Sequence, residues 1–169
     1  MSFLTDDTWP LHILDILEYV EHDPVANYNG LYTTLLFHCF SASEPKVYVV
    51  PEKHEVDSLY LAIRRKDLLP LLLTHVESDV SPQGRVKADK QMREKYATLL
   101  PTCPLSHLWG LSFVGPTLRF YHGDVATGTI VPPSDGHLEE AWNIDTFSPA
   151  GFAKIKAIVK DVVDSAAAL

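Results

Sequence analysis

Apolar and polar residues change period several times along this chain, and each change marks an element. Ile13, Leu14, Leu17 and Val20 recur at helical spacing behind Thr8 and Pro10, with Glu18 and Glu21 off the stripe. A hydroxyl cap followed by proline in the first turn predicts a helix start there, and Asp23-Pro24 predicts its end. "NYNG" at 27–30 reads as a turn, and "LYTTLLFHCF" at 31–40, rich in aromatic and β-branched residues, reads as a strand. "VYVV" (47–50) and "SLYLAI" (58–63) predict two more strands, separated by a polar connection, "PEKHEVD". From about Leu68 to Val76 the chain is apolar at consecutive positions, the pattern of a central strand covered on both faces.

The second half is better punctuated. Ala88, Met92, Tyr96 and Leu99 form one stripe of a helix over 85–99, with charges on the other face. "HLWGLSFVG" (107–115) and "TLRFYH" (117–122), joined at Gly115-Pro116, predict a hairpin, and "TIV" (129–131) a short further strand. Residues 132–141, "PPSDGHLEEA", carry no periodicity and predict a mobile loop. The last helix has Ser148 to cap it, Pro149 at its first position, and Phe147 and Phe152 placed as a staple. Phe152, Ile155, Ile158, Val159, Val162 and Val163 give its buried stripe. The order is helix, three or four strands, helix, hairpin, helix: an α/β or α+β fold in which one mixed β-sheet is flanked by helices, with residues 1–169 as a single globular domain.

Composition narrows the function classes. The formal charge of −8 opposes broad binding to a phosphate backbone, so nucleic acid is not an expected partner. Arg85, Lys87, Lys90, Arg93 and Lys95 are interleaved with Asp89 and Glu94, which reads as a solvated helix face with i,i+4 pairs. No apolar run approaches the ~20 residues of a membrane span, and "MSFLTDDTWP" lacks the pattern of a signal peptide, so an intracellular, cytoplasmic setting is expected. Cys39 and Cys103 are expected to be buried free thiols. There is no GxSxG, GxGxxG or P-loop.

Candidate chemistry gathers at "LLLTHVESD". Alternate residues of a strand share a face, so His75, Glu77 and, if the strand persists, Asp79 would line up over about 13 Å. Asp57 on the neighbouring strand could complete a site, and histidine with carboxylates suits a divalent Zn, Mn or Fe. His122 follows a strand and would face the same crevice, adding acid–base or ligand-binding chemistry. His38 reads as a core histidine in its apolar segment. Trp109, Tyr121 and Trp142, with Phe113 and Phe120, read either as sheet cover or as the wall of a small-molecule pocket closed by the 132–141 loop.

"KADKQMREKY" after a hydrophobic strand, followed by "HLWGLSFVGPTLRFY", resembles an uncharacterised family of short proteins in mushroom-forming fungi. More distantly it resembles the PD-(D/E)XK nuclease-like superfamily and the domain found beside fungal-type kinases. The resemblance spans about a third of the chain, from Leu68 to His122. It implies a restriction-endonuclease-like core, with an acid matching Asp57 and a triplet matching His75-Val76-Glu77 or Glu77-Ser78-Asp79. An acid on the first helix would match Glu18 or Glu21. Neither triplet has the lysine that such a site uses beside its metal, and Lys87 and Lys90 lie on the following helix instead. The expected function is therefore a binding or interaction domain on a degenerate nuclease-like core, its partner a small molecule or a protein. The alternative is a small metal-dependent or acid–base enzyme centred on His75, Glu77 and Asp57.

Overall fold

The computed structural model describes residues 2–23, 28–55, 58–64, 69–134 and 137–169, with backbone alone at 52–55 and 58–64. It is an α+β fold: one mixed sheet with helices on both sides. The elements run α1 (Leu11–His22), α2 (Asn29–Phe40), β1 (Tyr48–Glu55), β2 (Ser58–Arg64), β3 (Pro70–Glu77), α3 (Pro82–Leu99), β4 (His107–Val114), β5 (Thr117–Asp124), β6 (Ile130–Val131), β7 (Ile144–Asp145) and α4 (Pro149–Ala167). Strand order is β1-β2-β3-β4-β5-β6, with β7 also on β5. β1, β2 and β3 form an antiparallel meander, β4 lies parallel to β3, and β5 returns antiparallel to β4. Helix α3 is the crossover that parallel neighbours require.

Two predicted elements are corrected. Residues 31–40 are a helix, not a strand, and of the predicted turn at 27–30 Tyr28 is the cap and Asn29 the first helical residue, while Asn27 lies outside the described residues. The segment shows no clear apolar period because its solvent-facing side carries Phe37, 49% exposed, while Leu31, Tyr32, Leu35, Leu36, Cys39 and Phe40 are buried among α1, α4 and the sheet. An apolar residue on the open face blurs the stripe by which an amphipathic helix is recognised. Thr33 and Thr34 return their hydroxyls to the carbonyls of Asn29 and Gly30, which removes their polar demand within the helix. The polar "PEKHEVD" is not a connection throughout: β1 continues to Glu55, while 56–57 lie outside the described residues.

The other elements match with small shifts. Pro10, not Thr8, caps α1, and no side chain completes that cap. Ser148 does cap α4, accepting from the Gly151 N–H at 3.1 Å. Phe147 and Phe152 meet on the ring of Trp9, at centroid distances of 6.3 and 5.0 Å. β3 is buried along its whole length, as a central strand must be. Cys39 and Cys103 are free and buried. No helix among the described residues is long and apolar enough to cross a membrane.

Register assigns the side chains to two faces. Leu72 pairs with Trp109 and His75 with Ser112 across β3–β4, and Ser112 pairs with Arg119 and Trp109 with His122 across β4–β5. Paired residues point the same way, so His75, Glu77, Ser112, Arg119 and Tyr121 face α3. Trp109, Leu111, Phe113, Leu118 and His122 face the layer of α1, α2 and α4. That second face is apolar and aromatic: Tyr32 of α2 stacks on Phe113 at 3.9 Å. On the α3 face, Tyr96 lies flat against the sheet and donates to the Leu108 carbonyl at 2.8 Å. Gly110 and Gly123 make room for it, since a Cβ at either would stand 2.6 Å from a Tyr96 atom.

Candidate functional site

His75 and Glu77 lie side by side on β3, beneath α3, and both are fully buried. His75 Nε2 is 3.0 Å from Gln91 Oε1 on α3. With that carbonyl oxygen as acceptor, Nε2 carries the proton. Burial, helped by the nearby Lys87 charge, lowers the imidazole pKa to about 4 despite the Gln91 bond, so the ring is neutral at pH 7. Glu77 Oε1 accepts the backbone N–H of Asp79 at 3.0 Å. Its Oε2 lies 3.3 Å from Lys87 Nζ, an ion contact off the hydrogen-bond axis. Lys87 reaches in from the first turns of α3 and keeps about a third of its side chain in solvent.

Asp79 does not join them. β3 ends at Glu77, and Asp79 turns outward to accept the Ser81 N–H at 2.9 Å, setting up the start of α3. The Ser81 hydroxyl and N–H hold the Asp79 carboxyl below its usual value. Asp57 lies outside the described residues, so its distance from Glu77 is not described.

His122 and Trp109 belong to the other face of the sheet, so the expected shared crevice with His75 is not formed. There Asp161 of α4 accepts from Trp109 Nε1 at 2.7 Å and lies 2.8 Å from His107 Nε2. The His107 and His122 rings stack at 4.9 Å. Burial pulls the Asp161 carboxyl upward, but the bonds from Trp109 and His107 outweigh it and hold the group low. Partial burial and the His107 ring lower the pKa of His122. His38 sits on α2 rather than on a strand and pairs with Asp6 at 2.9 Å.

Tyr121 and Trp142 return to the α3 face, so the aromatic set splits between the two faces instead of forming one wall. Both are committed: Trp142 Nε1 donates to the Ser112 carbonyl at 3.2 Å and Tyr121 Oη to Asp89 Oδ1 at 2.9 Å. Asp89 is the hub that residue pattern alone does not reveal. It is 4% exposed. Arg93 binds it through Nε at 2.9 Å and Nη2 at 3.1 Å, and Arg119 through Nη1 at 3.2 Å. Arg93 Nη2 also donates to the Pro132 carbonyl at 2.9 Å, and Arg85 Nη1 to the Glu139 carbonyl at 2.6 Å, which ties Pro132 and Glu139 to α3. The charged stretch 85–95 is thus only in part a solvated face. Its signal was present: Asp89, Met92 and Tyr96 are spaced 3 and 4 apart, which places the aspartate on the buried stripe.

Among the described residues, no group of three His, Cys, Asp or Glu side chains is arranged to hold a metal ion. His75 and Glu77 supply two candidate donors, one engaged by Gln91 and the other by Asp79 and Lys87. No family model, curated protein or solved structure matches this chain.

Proposed function

We propose that this protein is a binding domain on a nuclease-like α/β core and carries no nuclease chemistry of its own. The order of helix, antiparallel meander, helix and parallel strand is consistent with the nuclease-like folds that the sequence resembles. The observation that carries the reading is the state of Glu77. Its side chain is 1% exposed, one oxygen is held by the Asp79 N–H and the other faces Lys87. A metal-dependent hydrolase keeps open positions at its metal for water and substrate. A carboxylate sealed by backbone and lysine, beside a neutral buried histidine, serves packing and charge balance instead. The test is incubation with DNA and RNA in Mg²⁺ and in Mn²⁺. No cleavage is expected; cleavage by the parent chain that disappears in Glu77→Gln overturns the reading.

One observation favours the second reading, a small metal-dependent or acid–base enzyme using His75, Glu77 and Asp57. Lys87 brings to Glu77, from the helix, the cation that neither strand triplet contains. Calorimetric titration with Mn²⁺ separates the two. Stoichiometric binding that is lost in Glu77→Gln supports the enzyme, and absence of binding supports the binding domain.

A further inference from the structure

The outer edge of β5 is interrupted. β7 pairs with Thr117 and Leu118, and β6 with His122 and Gly123. Among the described residues, 119–121 have no strand partner on that side. A cleft of about 400 Å³ opens at this gap, lined by Arg119 together with Leu118, Phe120, Val131, Asn143 and Ile144 among others. Its volume is that of a small-molecule site.

The floor carries a charge imbalance. Asp89 is one carboxylate, and two guanidinium groups, Arg93 and Arg119, are bound to it. The buried cluster therefore holds one positive charge in excess, in a chain whose formal charge is −8. Arg119 is 6% exposed and stacks its guanidinium on Tyr121 at 4.9 Å and on Trp142 at 5.2 Å. Asp89 uses only Nη1; Nε and Nη2 have no hydrogen-bond partner among the described residues. Those two nitrogens form the side edge of the guanidinium, whose parallel N–H bonds match the two oxygens of a carboxylate. Glu140 also lines the cleft, but it is exposed and forms no ion pair with either arginine.

We propose that this cleft binds a small organic monocarboxylate with an apolar body, its carboxylate on the Arg119 edge and its body against Phe120, Val131 and Ile144. One excess charge balances a monoanion, whereas a phosphate dianion would keep one negative charge uncompensated. The proposal rests on the binding-domain reading and names the ligand class that reading lacks.

The test titrates the full chain with phenylacetate and hexanoate, and separately with phenylacetamide and hexanamide, following backbone amide resonances. The acids are expected to shift Phe120, Val131 and Asn143 saturably, and the amides to leave them in place. Arg119→Lys keeps the charge and loses the fork, and should weaken phenylacetate binding about tenfold. Should that variant fail to fold, Asn143→Asp decides: it adds a negative charge at an exposed lining position and should weaken binding about threefold or more. Equal response to acid and amide, shifts confined to other regions, or unchanged affinity in Asn143→Asp overturns the proposal. A protein that cleaves no nucleic acid and shows no acid preference loses the cleft proposal alone. Cleavage overturns the binding-domain reading, and the acid-over-amide preference still decides the cleft.

Discussion

The two faces of one sheet solve opposite problems with the same strands. Toward α1, α2 and α4, β3, β4 and β5 present Leu72, Val76, Leu111, Phe113 and Leu118, packed against the buried apolar positions of those helices. Toward α3 the same strands present His75, Glu77, Ser112, Arg119 and Tyr121, met by Gln91, Lys87, Asp89 and Trp142. The first face gains mainly from area, with specific polar contacts where Asp161 meets Trp109 and His107. The second gains little net energy from its ion pairs, but each group depends on a particular partner, because removing one leaves the other buried and unpaired. The polar face is therefore the fragile and specific one, and the cleft at the β5 edge takes its arginine from it.

The largest expected break is Asp89→Ala. It strips two guanidinium groups and the Tyr121 hydroxyl of their shared acceptor and should lower unfolding free energy by about 3–5 kcal/mol in urea titration. Phe113→Ala on the opposite face should lose a similar ~3–5 kcal/mol. The two should separate by near-isosteric replacement: Asp89→Asn, which keeps the shape and removes the charge, should keep most of the loss, whereas Phe113→Leu should recover most of it. Full recovery in Asp89→Asn would erase the proposed difference between the faces.

Next comes the pH dependence of His75. Unfolded, the imidazole takes up a proton near its ordinary 6.5; folded, only near 4. The unfolded state thus binds more protons in that window, so stability is full above about 6.5, declines as pH falls, and levels off below about 4. The total is about 3 kcal/mol, at roughly 1.4 kcal/mol per pKa unit. In His75→Gln this part of the slope should vanish; a slope identical to that of the parent chain would show that the histidine is not buried neutral.

Smaller effects follow. Gly110→Ala pushes a methyl into Tyr96 and Met92 and should destabilise by about 1–3 kcal/mol, read from the thermal midpoint. Lys90→Ala removes a solvent-exposed i,i+4 partner of Glu94, at 3.9 Å, and should change stability by about 0.5 kcal/mol or less. A large loss there would place charge stability on the helix surface rather than in the buried hub.

Legibility in the sequence followed locality. The consecutive apolar run of β3, the strand–turn–strand at Gly115-Pro116 and the Ser148-Pro149 start of α4 were each readable, because the signal lies within a few residues of the element it makes. α2 was not, because Phe37 on its open face, beside threonines with high strand propensity, blurred the period that distinguishes helix from strand. His75 and Glu77 were found by alternation. Asp79 was placed with them only on the condition that the strand continued, and the turn that caps α3 ended it.

By itself, then, the sequence determined that an α+β chain with a central buried strand would form, and which strand end would carry polar groups into the interior. Local propensity and apolar periodicity are enough for that. Only the tertiary structure decided that Lys87 meets Glu77, that Asp89 gathers Arg93, Arg119 and Tyr121, and that His122 and Trp109 lie across the sheet from His75. Those outcomes depend on register across three strands and on the height at which α3 docks. A one-residue slip of a strand would send its side chains to the opposite face, and a shift of α3 would part Lys87 from Glu77 and Asp89 from Arg119.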